Sequence, residues 1–179
     1  NSQTVQVDGT LTATTLTTTS NGYNVSLLGG GTITNDPNFL NTGTLQIGND
    51  ASDSTTFSGG LRTNAVSGTT LGGTIADGGA NQLTFGGVTL AATTTLDSQG
   101  GNIALTTLAG GSQDLTIAAG TAAGTTTVTG NVSALGDGTG AALTVDNAAT
   151  GLVDFQGTFG ANSGLTGGAG TSLKFGQNV

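Results

Sequence analysis

Hydrophobic positions near the start of the chain recur about every 20 residues, an interval typical of solenoid repeats. The short units "VQV", "VSL" and "LQI" begin at Val5, Val25 and Leu45. In each unit two aliphatic residues flank one polar residue, which is typical of a strand that buries one face. Gly, Asn and Asp, the residues that favour tight turns, lie between the units. The pattern predicts short strands separated by turns, with the same face buried once per period.

The same interval returns later in the chain in a different phase. It predicts four files of stacked apolar side chains, which are Leu83, Ile103 and Leu143; Phe85, Leu105, Val145 and Leu165; Val88, Leu108 and Val128; and Leu115, Leu135, Phe155 and Phe175. The distance from Leu45 to Leu83 falls two positions short of a doubled period. We therefore expect an irregular coil or phase slip around residues 48–80. The single proline, Pro37, predicts a second irregular corner.

The period predicts an all-β fold, because no helical spacing of apolar residues persists and Thr, Gly, Asn and Val are mediocre or poor helix formers. A chain that coils once per period stacks each strand on its equivalent one turn later and forms parallel sheets. We expect residues 1–179 to form a single parallel β-helix, or β-solenoid, with about 20 residues, three short faces and three corners per coil. Nine coils rising about 4.8 Å each would give a rod roughly 43 Å long.

Composition supports a thin axial core and narrows the range of partners. The chain has 34 glycines and only seven aromatic residues, which would build a poor globular core. A net charge of -8 with two basic residues disfavours binding to nucleic acid or to an anionic membrane surface. The absence of His, Cys and Met removes the usual imidazole and thiol ligands and every disulfide. No apolar run is long enough for a membrane span, and with no signal peptide the chain is expected to be mature or excised material from an extracellular protein.

Candidate catalytic groups are few. Without histidine, a serine nucleophile would have only Lys174 as its base, and "SLKFG" places that lysine on the outer side of a strand. Two carboxylate pairs, Asp50 with Asp53 and Asp146 with Asp154, have the chemistry of a glycoside hydrolase. Aspartate is also a common turn former, and the aromatic and basic groups that accompany such enzymes are sparse. We therefore predict no enzyme activity and assign no catalytic, cofactor-binding or metal-binding residue.

Three further motifs have ordinary interpretations. The segment "GDGTGAALTVD", residues 136–146, is a loose single copy of a calcium-binding nonapeptide, which makes calcium the inorganic partner to consider; a plain turn explains it equally. The glycine run that includes Gly29 and Gly31 lacks the Lys-Ser/Thr pair of a phosphate-binding loop and is expected to form a corner. "NVS" at Asn24 and Asn131 matches a glycosylation sequon, and we interpret both matches as chance.

Outward threonines suggest a second kind of surface. Pairs of Thr or Ser recur with the same period at Thr12 and Thr14, Thr32 and Thr34, and Ser52 and Ser54. Rows of Thr-x-Thr on a flat solenoid face resemble those of ice-binding proteins, although threonine is also a common residue of exposed strands. If the period stays at 20 residues, this Thr-x-Thr row ends at the phase slip. We expect it not to be rebuilt in later coils.

The later half, "LTIAAGTAAGTTTVTGNVSALGDGTGAALTVDNAATGLVDFQGTFG", resembles the Gly/Thr/Asn-rich passenger repeats of filamentous-haemagglutinin-like and autotransporter adhesins of bacteria. The resemblance implies a right-handed triangular β-helix that projects from the cell surface, and it transfers no functional residues.

These observations give three hypotheses. The first is a structural or adhesive extracellular element that is a section of a larger adhesin or a subunit of a filament assembled end to end, because solenoid ends need continuation or a cap. Its partners would be itself, flanking repeats, or surface carbohydrate on a host or neighbouring cell. The others are ice binding and a polysaccharide-binding or polysaccharide-active β-helix.

Overall fold

The computed structural model describes residues 3–118, 120, 124–146 and 151–176. All regular structure in these residues is β-strand, and twenty strands wind into a parallel β-solenoid of about eight coils with a repeat of about 21 residues. The predicted all-β solenoid is therefore confirmed.

The strands lie on three faces: each coil contributes a strand segment to the first and second faces, and each coil from the third onward also contributes one to the third face. The first face contains β1 (Thr4–Val7), β3 (Asn24–Leu27), β5 (Thr44–Ile47), the start of β8 (Gly68–Asp77), the start of β10 (Gly87–Asp97), β12 (Thr107–Ala109), β15 (Val132–Leu135) and β18 (Phe159–Ala161). The second face contains β2 (Leu11–Ala13), β4 (Gly31–Ile33), β6 (Ser54–Phe57), the ends of β8 and β10, β13 (Leu115–Ala118), β16 (Ala141–Val145) and β19 (Gly164–Gly167). The third face contains β7 (Leu61–Arg62), β9 (Leu83–Thr84), β11 (Ile103–Leu105), β14 (Thr126–Val128), β17 (Leu152–Phe155) and β20 (Ser172–Phe175).

Alternation along each strand builds the core. In β5, Leu45 and Ile47 are fully buried while Thr44 is exposed and Gln46 half-buried, because neighbouring side chains of a strand point to opposite faces. Parallel pairing repeats this arrangement in the next coil, so that aliphatic residues stack along the axis. Near the end of the chain the core becomes aromatic. Phe155 and Phe175 stack with ring centroids 5.5 Å apart, and Phe159 meets Phe155 edge to face at 4.7 Å.

The predicted spacing holds where it was first observed. Val5 pairs with Val25, and Val25 pairs with Leu45. Leu45 then pairs with Thr69, four positions beyond the residue that a fixed period would select. The four additional residues lie in one corner, because residues 48–54 connect Ile47 to Thr55 where the preceding coil uses only residues 28–30. The corner therefore lengthens while the strands on either side keep their positions in the ladder.

The predicted files fail where corners lengthen further. Leu115, Leu135 and Phe155 do not stack, because they lie on the second, first and third faces and pair with Leu143, Ala161 and Phe175 respectively. Only the Phe155–Phe175 step of that file is correct.

The other three late files break for the same reason. In one, Val88 pairs with Leu108 as expected, but Leu108 pairs with Val132 instead of Val128. In the second, Leu83 pairs with Ile103 as expected, but Leu143 lies on a different face. In the third, Leu105 pairs with Val128 on the third face, whereas Val145 and Leu165 lie on the second face and pair with Gly167 and Leu143. The coil between the paired residues Thr126 and Val153 is much longer than the predicted period. Counting forward by a constant 20 residues therefore reaches a residue on a different face. For the same reason the described chain makes about eight coils instead of nine, with an axial length of roughly 38 Å.

Asparagine side chains join successive coils at the corners. The Oδ1 atoms of Asn24, Asn102 and Asn131 accept hydrogen bonds from backbone N–H groups one coil later, at 2.9, 2.9 and 3.1 Å. Each asparagine stands at, or directly before, the start of a strand. These amides continue the coil-to-coil hydrogen bonding through positions at which the ladder begins.

Candidate functional surface

The first carboxylate pair belongs to the lengthened corner between β5 and β6. Asp53 Oδ2 accepts the backbone N–H groups of Asn49 and Asp50 at 2.9 and 3.0 Å. Asp50 Oδ1 accepts the N–H and hydroxyl of Ser52, and the backbone bond first, then the side-chain bond, lowers the pKa of Asp50. A general acid needs a raised pKa, and that of Asp50 is lowered. Both carboxylates hydrogen-bond within their own corner, which favours a turn-forming role.

The second carboxylate pair is split between two faces. Asp146 follows β16 on the second face, whereas Asp154 lies within β17 on the third. Asp154 pairs with Lys174 in the next coil, and Lys174 Nζ donates to Asp154 Oδ2 at 3.1 Å. A hydrogen bond from Gln156, followed by that from Lys174, lowers the pKa of Asp154. Lys174 thus acts as a cross-coil ion-pair partner, and this arrangement gives no support to a Ser-Lys nucleophile.

The calcium-like segment forms a turn and a strand. Asp137 Oδ1 accepts the N–H and hydroxyl of Thr139 at 2.7 and 2.8 Å, and these two bonds lower the pKa of Asp137. The chain then continues through β16 to Asp146, so the two acids lie at opposite ends of a strand. Within the described ranges, no three acidic side chains group together as metal ligands would.

The glycine run and the sequons have structural roles. Gly31 has a φ of +130°, and a Cβ there would lie 2.0 Å from the carbonyl oxygen of Leu11, so the corner needs glycine for coil-to-coil contact. In the two sequons, the side-chain amides of Asn24 and Asn131 accept hydrogen bonds from the backbone of the next coil.

A file of hydroxyl groups runs along the second face. The pairing register aligns one outward residue from each of six consecutive coils, namely Ser54, Thr74, Thr95, Thr116, Thr144 and Thr166. We call this set the hydroxyl file. Its four middle members are half-buried, and its first and last members are exposed. None of the six hydroxyls makes a side-chain hydrogen bond within the described part of the chain, so all six can bond to solvent or to another molecule.

The threonine row expected from the sequence is thus only partly correct. Thr12 pairs with Thr32 as expected, but Thr32 pairs with Thr56, because the four additional residues of the corner move Ser52 and Ser54 out of that position. A Thr-x-Thr row is not rebuilt in the later coils, because Thr56 is followed in its file by Ala76 and Asp97, but a single file of hydroxyls that the sequence did not predict begins at Ser54. Its sequence signal is a Thr directly before an inward Ile, Leu or Val, as at Thr74, Thr95, Thr116 and Thr144, with intervals that a fixed period does not detect.

The ends of the rod expose inward-pointing apolar side chains. Val5 is 54% exposed although Val25, the next member of its file, is 4% exposed. Leu165 is 41% exposed although its partner Leu143 is fully buried. Alternation directs both side chains toward the axis, so their exposed area faces along the rod. Solvent-exposed apolar area of this kind marks a surface suited to contact with another protein segment.

Comparison with known proteins gives no relative: no protein-family model, curated protein or solved structure matches the chain. In the residues that the structure describes, no helix has the length and apolar character needed to cross a bilayer.

Proposed function

We propose that the chain is a non-catalytic structural or adhesive β-solenoid of the cell surface, joined at its ends to further coils of the same chain or of another copy. The observation that carries the proposal is the exposure of Val5 and Leu165, two inward members of axial files, at opposite ends of the rod. Another coil stacked on either end would continue the parallel ladder and remove this apolar area from water.

The chemistry of the sides supports a structural role. Aspartates that were candidate catalysts bond to nearby backbone or to a neighbouring coil. The outward residues are mainly Thr, Ala, Gly and amides, which suit a rod that stays soluble while its ends associate. The extracellular location rests on composition, since the chain lacks Cys, His and Met, and on the resemblance to bacterial passenger repeats.

End-to-end association can be tested with two leucines of similar exposure. Leu165 points toward the axis at the rod end, and Leu152 is 36% exposed and points outward from β17. We expect the chain to form one-dimensional assemblies as concentration rises, measured by sedimentation velocity and negative-stain electron microscopy. Leu165→Asp should abolish this association, and Leu152→Asp should leave it unchanged. A chain that stays a single rod at every concentration, or a Leu165→Asp variant that assembles normally, contradicts the proposal.

Location needs a separate experiment. Antibodies against the purified rod should label intact cells of the source organism. Labelling that requires permeabilised cells would remove the cell-surface part of the proposal and leave the end-joining part standing.

The hydroxyl file favours ice binding as a second candidate. Strand spacing places successive hydroxyls about 4.8 Å apart along a sheet face, which offers a regular array to ordered water. Asp97, in the file beside Thr95, places a charge on the same face and weakens the case. If the face binds ice, the chain shows thermal hysteresis that Thr95→Tyr abolishes and that Thr89→Tyr, an exposed position on the first face, preserves. Absence of hysteresis in the unmodified chain eliminates this candidate.

A further inference from the structure

The corner that leads into β3 contains Asn21 followed by Gly22, the only Asn-Gly pair of the sequence. Both residues are exposed. Glycine carries no side chain to hinder its own nitrogen, and a Cβ built on Gly22 would meet no atom nearer than Thr42 Oγ1 at 3.9 Å. Space around the pair is therefore open to a reaction between the Gly22 nitrogen and the Asn21 side chain.

Hydrogen bonding in this corner leaves the two reacting groups accessible. Asn21 Nδ2 donates to Thr19 Oγ1 at 3.1 Å, and this bond leaves the side-chain carbonyl carbon, Cγ, open to attack. The Asn21 backbone carbonyl accepts the N–H groups of Tyr23 and Thr42, each at 2.9 Å. The Gly22 N–H makes no hydrogen bond to another described residue.

Three other asparagines that stand at corners are held differently. Asn24, Asn102 and Asn131 use their Oδ1 atoms to hold the backbone of the next coil, and each is followed by a β-branched residue. A branched Cβ beside the attacking nitrogen hinders ring closure, and a coil-to-coil hydrogen bond restrains the amide. Asn21 has neither protection.

We propose that Asn21 is a site of spontaneous covalent modification in the folded protein. The Gly22 nitrogen attacks Asn21 Cγ, forming a C–N bond and a five-membered succinimide. The C–Nδ2 bond breaks, and ammonia leaves with the proton released by Gly22. Water, the only co-reactant, then opens either carbonyl of the ring to give an aspartyl or an isoaspartyl residue.

The product alters one corner of the rod. Either product replaces a neutral amide with a carboxylate in a chain that is already at -8. The isoaspartyl form also routes the main chain through Cβ, and it therefore displaces the carbonyl that receives the Thr42 N–H. This hydrogen bond connects the corner to the next coil, so the modification loosens the first coils while the later coils stay intact.

The test is prolonged incubation of the folded chain at mildly alkaline pH, with isoaspartate measured by enzymatic methylation and the site located by fragment mass spectrometry. We expect conversion at Asn21, no conversion at Asn24, Asn102 or Asn131, and faster hydrogen exchange of the Thr42 amide in the product. Gly22→Ala is the matched variant, since the space around Gly22 accommodates a methyl group and its φ is not positive. This variant should retain the melting temperature and lose the isoaspartyl signal. Equal conversion in Gly22→Ala, conversion mainly at another asparagine, or no conversion of the unmodified chain overturns the proposal.

Discussion

Buried hydroxyl groups interrupt the aliphatic files of this solenoid. Thr126 occupies a position of the third-face file that Ile103 fills in the preceding coil and Val153 in the following coil. Thr126 is 1% exposed, and its Oγ1 atom has no hydrogen-bond partner. A buried hydroxyl without a partner costs free energy, because its bonds to water are lost and not replaced.

Thr126→Val should therefore stabilise the protein. We expect the free energy of unfolding to rise by about 1 kcal/mol, since valine keeps the branched shape and removes the unpaired hydroxyl. Urea denaturation measures the change. Thr69→Val is the matched control, because the equally buried Thr69 hydroxyl donates to Thr63 Oγ1 at 3.0 Å, and its loss should destabilise by about 1 kcal/mol. If both variants shift the midpoint in the same direction, hydrogen bonding is not what distinguishes the two sites.

Gly31, at the corner between β3 and β4, allows neighbouring coils to come into contact. The Leu11 carbonyl occupies the space into which a side chain at residue 31 would project, and the positive φ of Gly31 is itself unfavourable for alanine. Gly68, at the start of β8, has no atom within 4 Å of a built Cβ. The two glycines therefore differ in what they contribute to the fold.

Gly31→Ala should destabilise the chain by about 1–3 kcal/mol, from backbone strain and the displaced carbonyl. Gly68→Ala should be neutral or raise the free energy of unfolding by about 0.5 kcal/mol, because alanine restricts the unfolded chain. Thermal unfolding followed by circular dichroism measures both. Equal melting temperatures for the two variants would show that the coils separate easily enough to admit the methyl group.

Strands repeat more faithfully than the corners that join them. β3 and β5 keep the predicted register, and the step from β5 to β8 lengthens by four positions because of the corner between Ile47 and Thr55 alone. Inward and outward alternation is enforced by burial, since a shift of one residue would expose a whole strand. A corner incurs no such penalty when it lengthens, because its added residues enter solvent.

This difference determines how much of the structure the sequence can predict. Alternation and turn residues predict the solenoid and the first two coil registers, because these depend on local chemistry. The assignment of Leu115, Leu135 and Phe155 to different faces depends on the summed lengths of all preceding corners, which no local pattern records. The hydroxyl file was missed for the same reason, although each of its threonines lies in an ordinary strand context.

Deleting residues 49–52 should restore a short corner like that of the preceding coil. We expect the free energy of unfolding to change by less than about 1 kcal/mol, because a shorter loop has a slightly lower closure cost and no ladder bond is lost. The matched control removes residues 70–73 from β8, which breaks pairing on both neighbouring coils and should abolish cooperative unfolding. Loss of cooperativity in the corner deletion would show that the Asp50 and Asp53 turn is required for folding.

Ten of the twelve charged side chains in the sequence are aspartates. Asp50, Asp137 and Asp154 each accept hydrogen bonds that lower their pKa below that of an unfolded aspartate. A carboxyl group with a lowered folded-state pKa stabilises the fold above the unfolded pKa, and this contribution is lost as pH falls through the folded pKa. With no His or Cys, the side chains that titrate near neutrality are absent from the chain.

The rod should therefore have a flat stability profile from about pH 5 to about pH 8 and should lose stability below about pH 4, where aspartates protonate. Melting temperature measured across this range at constant ionic strength tests both parts. Asp154→Asn removes the charged partner of Lys174 and should flatten part of the acid limb, because an amide does not titrate. Asp8→Asn is the control, since Asp8 lies in an exposed turn with a single side-chain bond from Gln6. A steep change of melting temperature between about pH 5 and about pH 8 would require a group that titrates there, and no side chain of this composition does so at its ordinary pKa.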